Sequence, residues 1–146
     1  MQRAYIALGA NLGNPVATIN DAIDALVCLR GSVFVAVSSL YRTAPVGLKR
    51  QPDFINAVVA VKTRLEPREL LDELFALEAR FGRVRDPGSS RNAPRTLDLD
   101  LLLHGEAMLD DPGLTLPHPR MHERAFVLAP LAEIAPELSI PGHGPV

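Results

Sequence analysis

Two aspartates spaced two positions apart, Asp98 and Asp100, are the residues of this sequence whose types and spacing most clearly suggest chemistry. They lie in the segment 91–103, which reads RNAPRTLDLDLLL. Because a strand turns successive side chains to opposite faces, both carboxylates are predicted on one face and the neighbouring leucines on the other. Those leucines are Leu97, Leu99, Leu101 and Leu103. Two buried carboxylates without a compensating charge would each cost on the order of several kcal/mol, so we expect a cation beside them.

The positive charge beside the aspartates has two candidate sources. Mg²⁺ is bound in proteins by one or two carboxylates together with water and phosphate oxygens. The alternative source is the arginines before the strand, which are Arg83, Arg85, Arg91 and Arg95. For a pair of aspartates taken alone, a solvated or arginine-paired edge strand is the simpler interpretation. The metal interpretation therefore depends on the rest of the chain.

Length and composition limit the classes of protein that this chain can be. Its 146 residues predict one domain, 1–146, whose core needs neither disulfides nor a structural metal. The apolar content of 47% excludes a disordered chain, and the net charge of −2 provides no field to recruit nucleic acid or an anionic membrane. The single cysteine, Cys28, falls in an apolar helical pattern. It excludes a disulfide framework and a cysteine zinc site, and it indicates a reduced, cytoplasmic setting.

The elements that must position the aspartates follow the order β-α-β-β-α-β. Strands are predicted at 4–8, 33–41, 54–62 and 97–103, helices at 15–30 and 67–81, and then a hairpin strand at 106–109 and a helix at 121–133. Asn14 and the prolines Pro15 and Pro67 mark the helix starts. This order predicts an α+β fold. The expected architecture is a ferredoxin-like βαββαβ sandwich, with helices on one sheet face, an added hairpin strand and a C-terminal helix.

An amide in the third predicted strand is a second candidate functional group. Asn56 interrupts the apolar run FINAVVAV, and a buried amide must be hydrogen-bonded. Its partner is either the backbone or a ligand in a cavity, where Phe54 would share its face. Both interpretations remain open at this point.

Arginines and carboxylates close together in sequence suit phosphoryl transfer. The transition state spreads negative charge over phosphate oxygens, and metal ions and arginines stabilise it without a protein nucleophile. Two other classes remain possible. A non-catalytic ferredoxin-like module could bind an effector or RNA, although RNA readers of this fold use exposed aromatics and a basic surface, and aromatics are 5% here. A metal-dependent phosphohydrolase is the third.

Several segments together resemble one known family, the 6-hydroxymethyl-7,8-dihydropterin pyrophosphokinases of folate biosynthesis. In chain order they are AYIALGANLGNP, SSLYRTAPVG, QPDFINAVVAV, GRVR, APRTLDLDLLLHG and LTLPHPRMHERAFVLAPLAEIAP. The resemblance implies a single pyrophosphokinase domain that transfers the pyrophosphoryl group of ATP to the hydroxymethyl oxygen of the pterin and releases AMP. It also implies a cytoplasmic, monomeric enzyme that uses ATP as co-substrate and has no nucleic-acid or membrane partner.

The resemblance also assigns roles to residues. Asp98 and Asp100 are implied to bind two Mg²⁺ ions, and Arg83 and Arg95 to stabilise the transferring group. The residues implied for the pterin, whose ring would lie between two phenylalanines, are Thr43, Pro45, Val46, Gly47, Phe54, Asn56 and Phe126. The residues implied for ATP are Glu78, Arg85, Leu101, Thr115, His118 and Arg124.

Overall fold

A computed structural model describes residues 1–44, 52–81, 97–121 and 124–146. Within these ranges the strands are β1 (Gln2–Ala10), β2 (Ser32–Val37), β3 (Tyr41–Thr43), β4 (Phe54–Thr63), β5 (Asp98–His104), β6 (Leu109–Asp111), β7 (Leu114–Leu116), β8 (Ser139–Ile140) and β9 (Gly144–Pro145). The helices are α1 (Pro15–Val27), α2 (Pro67–Arg80) and α3 (Ala125–Ile134). The described residues therefore combine helices with antiparallel sheets, as predicted.

One sheet organises the molecule, with the strand order β2-β4-β1-β5 and with β3 paired to β4 beyond the end of β2. Every pair in it is antiparallel. The central strands β1 and β4 are buried over most of their length, as their continuous apolar runs predict. Within the described residues β5 is an edge strand, so one row of its backbone groups is available to partners outside the sheet.

The starts of α1 and α2 are confirmed. The Asn14 side chain accepts a hydrogen bond from the Ala17 amide at 3.2 Å, and Glu66 and Glu69 form a capping box at the start of α2. Asn14, Pro15 and Pro67 therefore located both helix starts, and the capping box adds a second signal at the start of α2. No helix in the described ranges is long and apolar enough to cross a membrane.

The sheet is covered on both faces, so the prediction that the helices lie on one face is wrong for α3. The helices α1 and α2 pack on one face, which we call the two-helix face, through a cluster that includes Ile19, Leu26, Leu70 and Leu74. α3 packs on the opposite face through Val127 and Leu131. Both faces of the central strands are apolar, and each face therefore needs a cover.

The alternation predicted for β5 is confirmed for the aspartates. Leucines of the two-helix face are Leu97, Leu99 and Leu101. Asp98 and Asp100 alternate with them and are half-buried on the opposite face, which we call the aspartate face. The prediction is wrong for Leu103, which lies in the cluster of the aspartate face. A register shift against β1 leaves Leu102 as an extra residue, and such a β-bulge reverses the faces of the residues that follow.

The strand predicted at 33–41 is two strands separated by a further irregularity. β2 ends opposite Val59 and β3 begins opposite Asn56, so the residues 38–40 stand opposite only two residues of β4. This arrangement is a β-bulge with one extra residue. Ser38 joins it to β4, because its amide donates to the Val58 carbonyl and its hydroxyl accepts from the Val58 amide, both at 2.9 Å.

Three further predictions differ from the structure. The hairpin strand expected at 106–109 is replaced by the β6–β7 hairpin, whose turn contains Gly113 at a φ of 75°. Glycine adopts this backbone conformation at little cost. The last helix begins only at Ala125. Cys28 is exposed, because it follows α1 as its C-cap instead of continuing the buried helical face.

Candidate functional site

The aspartate face brings together residues that are far apart in sequence. Across β3, β4, β1 and β5, the residues Tyr41, Asn56, Gly9 and Asp98 stand side by side in register. Neighbouring strands lie about 4.8 Å apart, so the Cα atoms of Asn56 and Asp98 are separated by about 10 Å. The predicted amide and carboxylate groups therefore belong to one surface that spans four strands.

Asp100 lies near an imidazole. His118 Nε2 is 3.9 Å from Asp100 Oδ1, which is beyond hydrogen-bond distance. The side chains of His118 and Asp100 are 20% and 33% exposed, so neither is sealed from solvent. The His118 amide donates to the Leu102 carbonyl at 2.9 Å and aligns the segment after β7 with β5. Thr115 lies in β7, half-buried, opposite Asp110.

The chemistry of this donor set fits Mg²⁺. Asp98 and Asp100 offer carboxylate oxygens from one face of one strand, with Cα atoms about 6.6 Å apart. In the part of the chain that the structure describes, no group of three or more His, Cys, Asp or Glu side chains could hold a metal ion. A closed zinc site usually requires four protein ligands, whereas Mg²⁺ needs one or two carboxylates and takes its other ligands from water and phosphate.

Asn56 is buried, at 6% exposure, and its amide is held in one orientation. Its Nδ2 donates to Thr43 Oγ1 at 2.7 Å, a side-chain partner that neither sequence interpretation named. Among the described residues, nothing donates a hydrogen bond to Asn56 Oδ1. Buried acceptors nearly always have a partner, so this oxygen is suited to accept from an N–H group of a bound molecule.

Two aromatic rings belong to the same side of the sheet. Phe54 is half-buried and stands opposite Thr43 in the β3–β4 pair. Phe126, in the first turn of α3, packs against the cluster of the aspartate face. The guanidinium of Arg124 lies over the Phe126 ring, 5.6 Å from its centroid, in a cation–π contact.

Glu78 reaches β5 from α2 and is almost completely buried, at 1% exposure. Its Oε2 accepts a hydrogen bond at 2.8 Å from the amide of Leu99, the residue between the two aspartates. Leu101 is 4% exposed and belongs to the cluster of the two-helix face. The side chain of Leu101 therefore points away from the aspartates. The ATP contacts implied for Glu78 and Leu101 stay predictions.

Six of the predicted site residues lie outside the described part of the chain. They are Pro45, Val46, Gly47, Arg83, Arg85 and Arg95. Their roles, and the arginine alternative for the charge beside the aspartates, stay predictions.

Comparison of the sequence with known protein families identifies the family of this chain. The family model for the 7,8-dihydro-6-hydroxymethylpterin pyrophosphokinases matches residues 5–136. This chain belongs to that family. The matched region contains both aspartates, Asn56, Phe54 and Phe126, so these candidate site residues all lie within it.

Named relatives agree with the family assignment. A 2-amino-4-hydroxy-6-hydroxymethyldihydropteridine pyrophosphokinase of Pseudomonas aeruginosa is 52% identical over 97% of this chain and 85% of its own length. A protein of the same name from Haemophilus influenzae is 46% identical over 97% of this chain and 86% of its own length. The folic acid synthesis protein fol1 of Pneumocystis carinii is 41% identical over 98% of this chain and 19% of its own length.

Sequence reasoning missed two residues that shape this pyrophosphokinase-family site. Gly9 reads as a turn residue, yet it lies in β1 between Asn56 and Asp98. A Cβ atom at Gly9 would lie 3.2 Å from Asn56 Oδ1, so glycine avoids a tight contact with that oxygen. Asn11 is 1% exposed, and its Nδ2 donates to the Pro52 carbonyl at 3.1 Å, just before β4. No local spacing pattern indicates either contact.

Glu133, near the end of α3, was also missed. Its carboxylate accepts hydrogen bonds from the Ser39 amide at 2.9 Å, the Ser39 hydroxyl at 2.8 Å and the Tyr41 hydroxyl at 2.7 Å. We call these bonds the Glu133 contact. The bond from Tyr41, followed by those from Ser39, lowers the pKa of Glu133 below its ordinary value. The same bond to Glu133 is the main reason that the pKa of Tyr41 is raised.

The Glu133 contact should make stability depend on pH in acid. Because the folded-state pKa of Glu133 is lowered, its contribution is complete above the unfolded pKa of about 4.3 and is lost as the pH falls through the folded value. We therefore expect wild type to unfold at a higher temperature than Glu133→Gln at neutral pH, with the difference closing in acid. Thermal unfolding followed at several pH values measures this. If the difference in unfolding temperature stayed the same in acid, Glu133 would not carry the charge assigned to it. The control is Glu137→Gln, which removes an exposed carboxylate just after α3.

Proposed function

We propose that this protein transfers the pyrophosphoryl group of ATP to the hydroxymethyl oxygen of 6-hydroxymethyl-7,8-dihydropterin, giving the pterin diphosphate and AMP in folate biosynthesis. The observation that carries the proposal is the placement of Asp98 and Asp100 on the same sheet face as the buried Asn56 amide. A carboxylate pair suits a metal–nucleotide complex, and a buried amide suits the hydrogen-bonding edge of a heterocycle. Membership of the pyrophosphokinase family supports the same assignment.

The reaction needs no covalent intermediate on the protein. A bond forms between the hydroxymethyl oxygen and the β-phosphorus of ATP, and the bond from that phosphorus to the oxygen bridging it to the α-phosphorus breaks. The bridging oxygen leaves with AMP, and the hydroxyl proton is released. The protein's task is therefore to align the two substrates and to stabilise charge on the phosphate oxygens.

Phosphate binding is assigned to the carboxylates and to the cationic side chains around them. Asp98 and Asp100 would hold Mg²⁺, with two ions proposed, and bound Mg²⁺ would neutralise charge on the phosphate oxygens. Arg83 and Arg95 are proposed to stabilise the transferring group. Further contacts to ATP are proposed for Glu78, Arg85, Leu101, Thr115, His118 and Arg124. The closeness of His118 to Asp100 supports its place in this set.

Pterin binding is assigned to the amide and the two aromatic rings. Because Thr43 Oγ1 already holds Asn56 Nδ2, the Asn56 Oδ1 atom is left to accept from an N–H group of the pterin. Phe54 and Phe126 would stack on the two faces of the ring. Pro45, Val46 and Gly47 are proposed to form the rim of the pocket.

We also propose that the fold is of the ferredoxin-like βαββαβ type. The antiparallel order β2-β4-β1-β5 and the placement of α1 and α2 on one face support this. The cytoplasmic setting and the monomeric state stay predictions. A non-catalytic effector- or RNA-binding module is not favoured by the family match.

The proposed activity predicts that AMP forms only when ATP, the hydroxymethyl pterin and Mg²⁺ are all present. Chelation with EDTA should stop AMP formation and added Mg²⁺ should restore it, because the carboxylates need the ion to bind the phosphates. A coupled assay for AMP measures this, and 6-methyl-7,8-dihydropterin, which lacks the acceptor hydroxyl, is the control. Phosphate release from ATP without pterin would instead indicate a phosphohydrolase, and nucleotide binding without AMP formation would contradict catalysis.

A further inference from the structure

The β-bulge at 38–40 decides which side chains of β3 face the site. β2 is in register with Val59 at its end, and the extra residue then places Tyr41 opposite Asn56 and Thr43 opposite Phe54. Without it, Leu40 would stand opposite Asn56. Thr43 would turn to the other face of the sheet, since a one-residue slip reverses every side chain.

The Glu133 contact stabilises this bulge from α3. In a bulge, the extra residue has no regular ladder partner, and its amide needs another acceptor. The Ser39 amide donates to both carboxylate oxygens of Glu133, at 2.9 and 3.1 Å. The Ser39 and Tyr41 hydroxyls donate to the same carboxylate, so one charged group binds the bulge and the first residue of β3.

The register of β3 controls the orientation of the Asn56 amide. Thr43 Oγ1 is the acceptor for Asn56 Nδ2 at 2.7 Å, and it reaches that position only in the bulged register. If Thr43 turned away, nothing among the described residues would hold Nδ2, and the amide could rotate. The oxygen assigned to the pterin would then lose its fixed direction.

We propose that Glu133 is a positioning residue for the pterin subsite, which it orders by holding the bulge and, through it, Thr43 and Asn56. This inference rests on the proposed function. The aspartates lie on β5, which pairs with β1 and not with β3, so the effect is directed at the pterin and not at the nucleotide. Glu133 touches neither substrate in this scheme.

Glu133→Gln tests the proposal kinetically. Glutamine keeps the size of the side chain but turns one acceptor into a donor that faces the donors of Ser39 and Tyr41. At saturating ATP we expect the KM for the pterin to rise about tenfold, with kcat and the KM for ATP within about twofold of wild type. Glu137→Gln, with no hydrogen bond in the described structure, should leave all three unchanged.

A double-mutant cycle with Thr43→Val distinguishes positioning from general stabilisation. Glu133 and Thr43 are coupled only through the bulge in this scheme, so Glu133→Gln should raise the pterin KM much less in the Thr43→Val background than in wild type. Additive effects would overturn the proposal. An unchanged pterin KM, or an equal rise in KM for ATP and pterin, would also overturn it.

Hydrogen–deuterium exchange tests the register without substrates. In Glu133→Gln, the segment 38–44 should exchange faster than in wild type, and in Glu137→Gln it should not. If wild type makes no AMP from ATP and pterin, the proposed function fails, and this measurement still decides whether Glu133 holds the bulge. If wild type is active and the exchange is unchanged in Glu133→Gln, only the inference about Glu133 fails.

Discussion

Replacing Asp100 with asparagine is expected to lower the rate of AMP formation about a thousandfold, and Asp98→Asn should do the same. Asparagine keeps the shape of the side chain and one oxygen but removes the charge that a Mg²⁺ site requires. The two carboxylates share one face of β5 and are half-buried, and among the described residues they are not part of a group of three or more His, Cys, Asp or Glu side chains that could hold the ion. Loss of either one should therefore not be compensated by the other.

The measurement is the initial rate of AMP formation over a range of Mg²⁺ concentrations. High Mg²⁺ should recover part of the activity if the remaining carboxylate still binds the ion weakly. Asp24→Asn, an exposed position on α1, is the matched control and should retain wild-type rates. Turnover of Asp98→Asn or Asp100→Asn near the wild-type rate, with the unfolding temperature unchanged, would show that these aspartates do not bind the metal.

Glu78→Ala is expected to reduce both stability and turnover. The Leu99 amide would lose its acceptor inside the protein, which costs about 1–3 kcal/mol in the free energy of unfolding. Because Leu99 lies between the two aspartates, its displacement would also disturb their spacing. We expect kcat to fall at least about tenfold, since misplacement of groups by about 1 Å can cost more than that.

Denaturant unfolding and AMP kinetics on the same preparations check this prediction. Glu78→Gln retains an oxygen that can accept from the Leu99 amide, so it should lose less stability than Glu78→Ala. Asp72→Ala, an exposed carboxylate on the same helix, controls for the loss of a negative charge from α2. A Glu78→Ala protein as stable and active as wild type would contradict the role assigned to this buried carboxylate.

The parts of the fold that could be predicted are those fixed by local chemistry. The alternation of Asp98 and Asp100 with leucines depends only on the two-residue period of a strand, and it is confirmed. The starts of α1 and α2 were predicted from Asn14 and from the prolines Pro15 and Pro67, which act within the first turn, and they are confirmed too. Leu103 and the break at 38–40 were predicted wrongly, because a bulge is defined by how many residues stand opposite it on the partner strand.

The same limit applies to the candidate site. The sequence identified Asn56 as a buried amide that needs a partner, but not Thr43 as that partner, since the pairing of β3 with β4 is set by the bulge. The resemblance named Glu78 as a nucleotide contact, whereas its bond to the Leu99 amide depends on how α2 packs against β5. Contacts of this kind arise from tertiary packing and leave no pattern of spacing in the chain.

The glycine at position 9 has a consequence for how the two substrates can meet. Between Asn56 and Asp98, β1 contributes a glycine, so at this position the strand itself places no side chain on the aspartate face. If the pterin binds at Asn56 as proposed, its hydroxymethyl group would extend over Gly9 toward the aspartates of β5. The methyl group of an alanine at this point would lie 3.2 Å from Asn56 Oδ1, so the proposed transfer depends partly on the absence of a side chain at position 9.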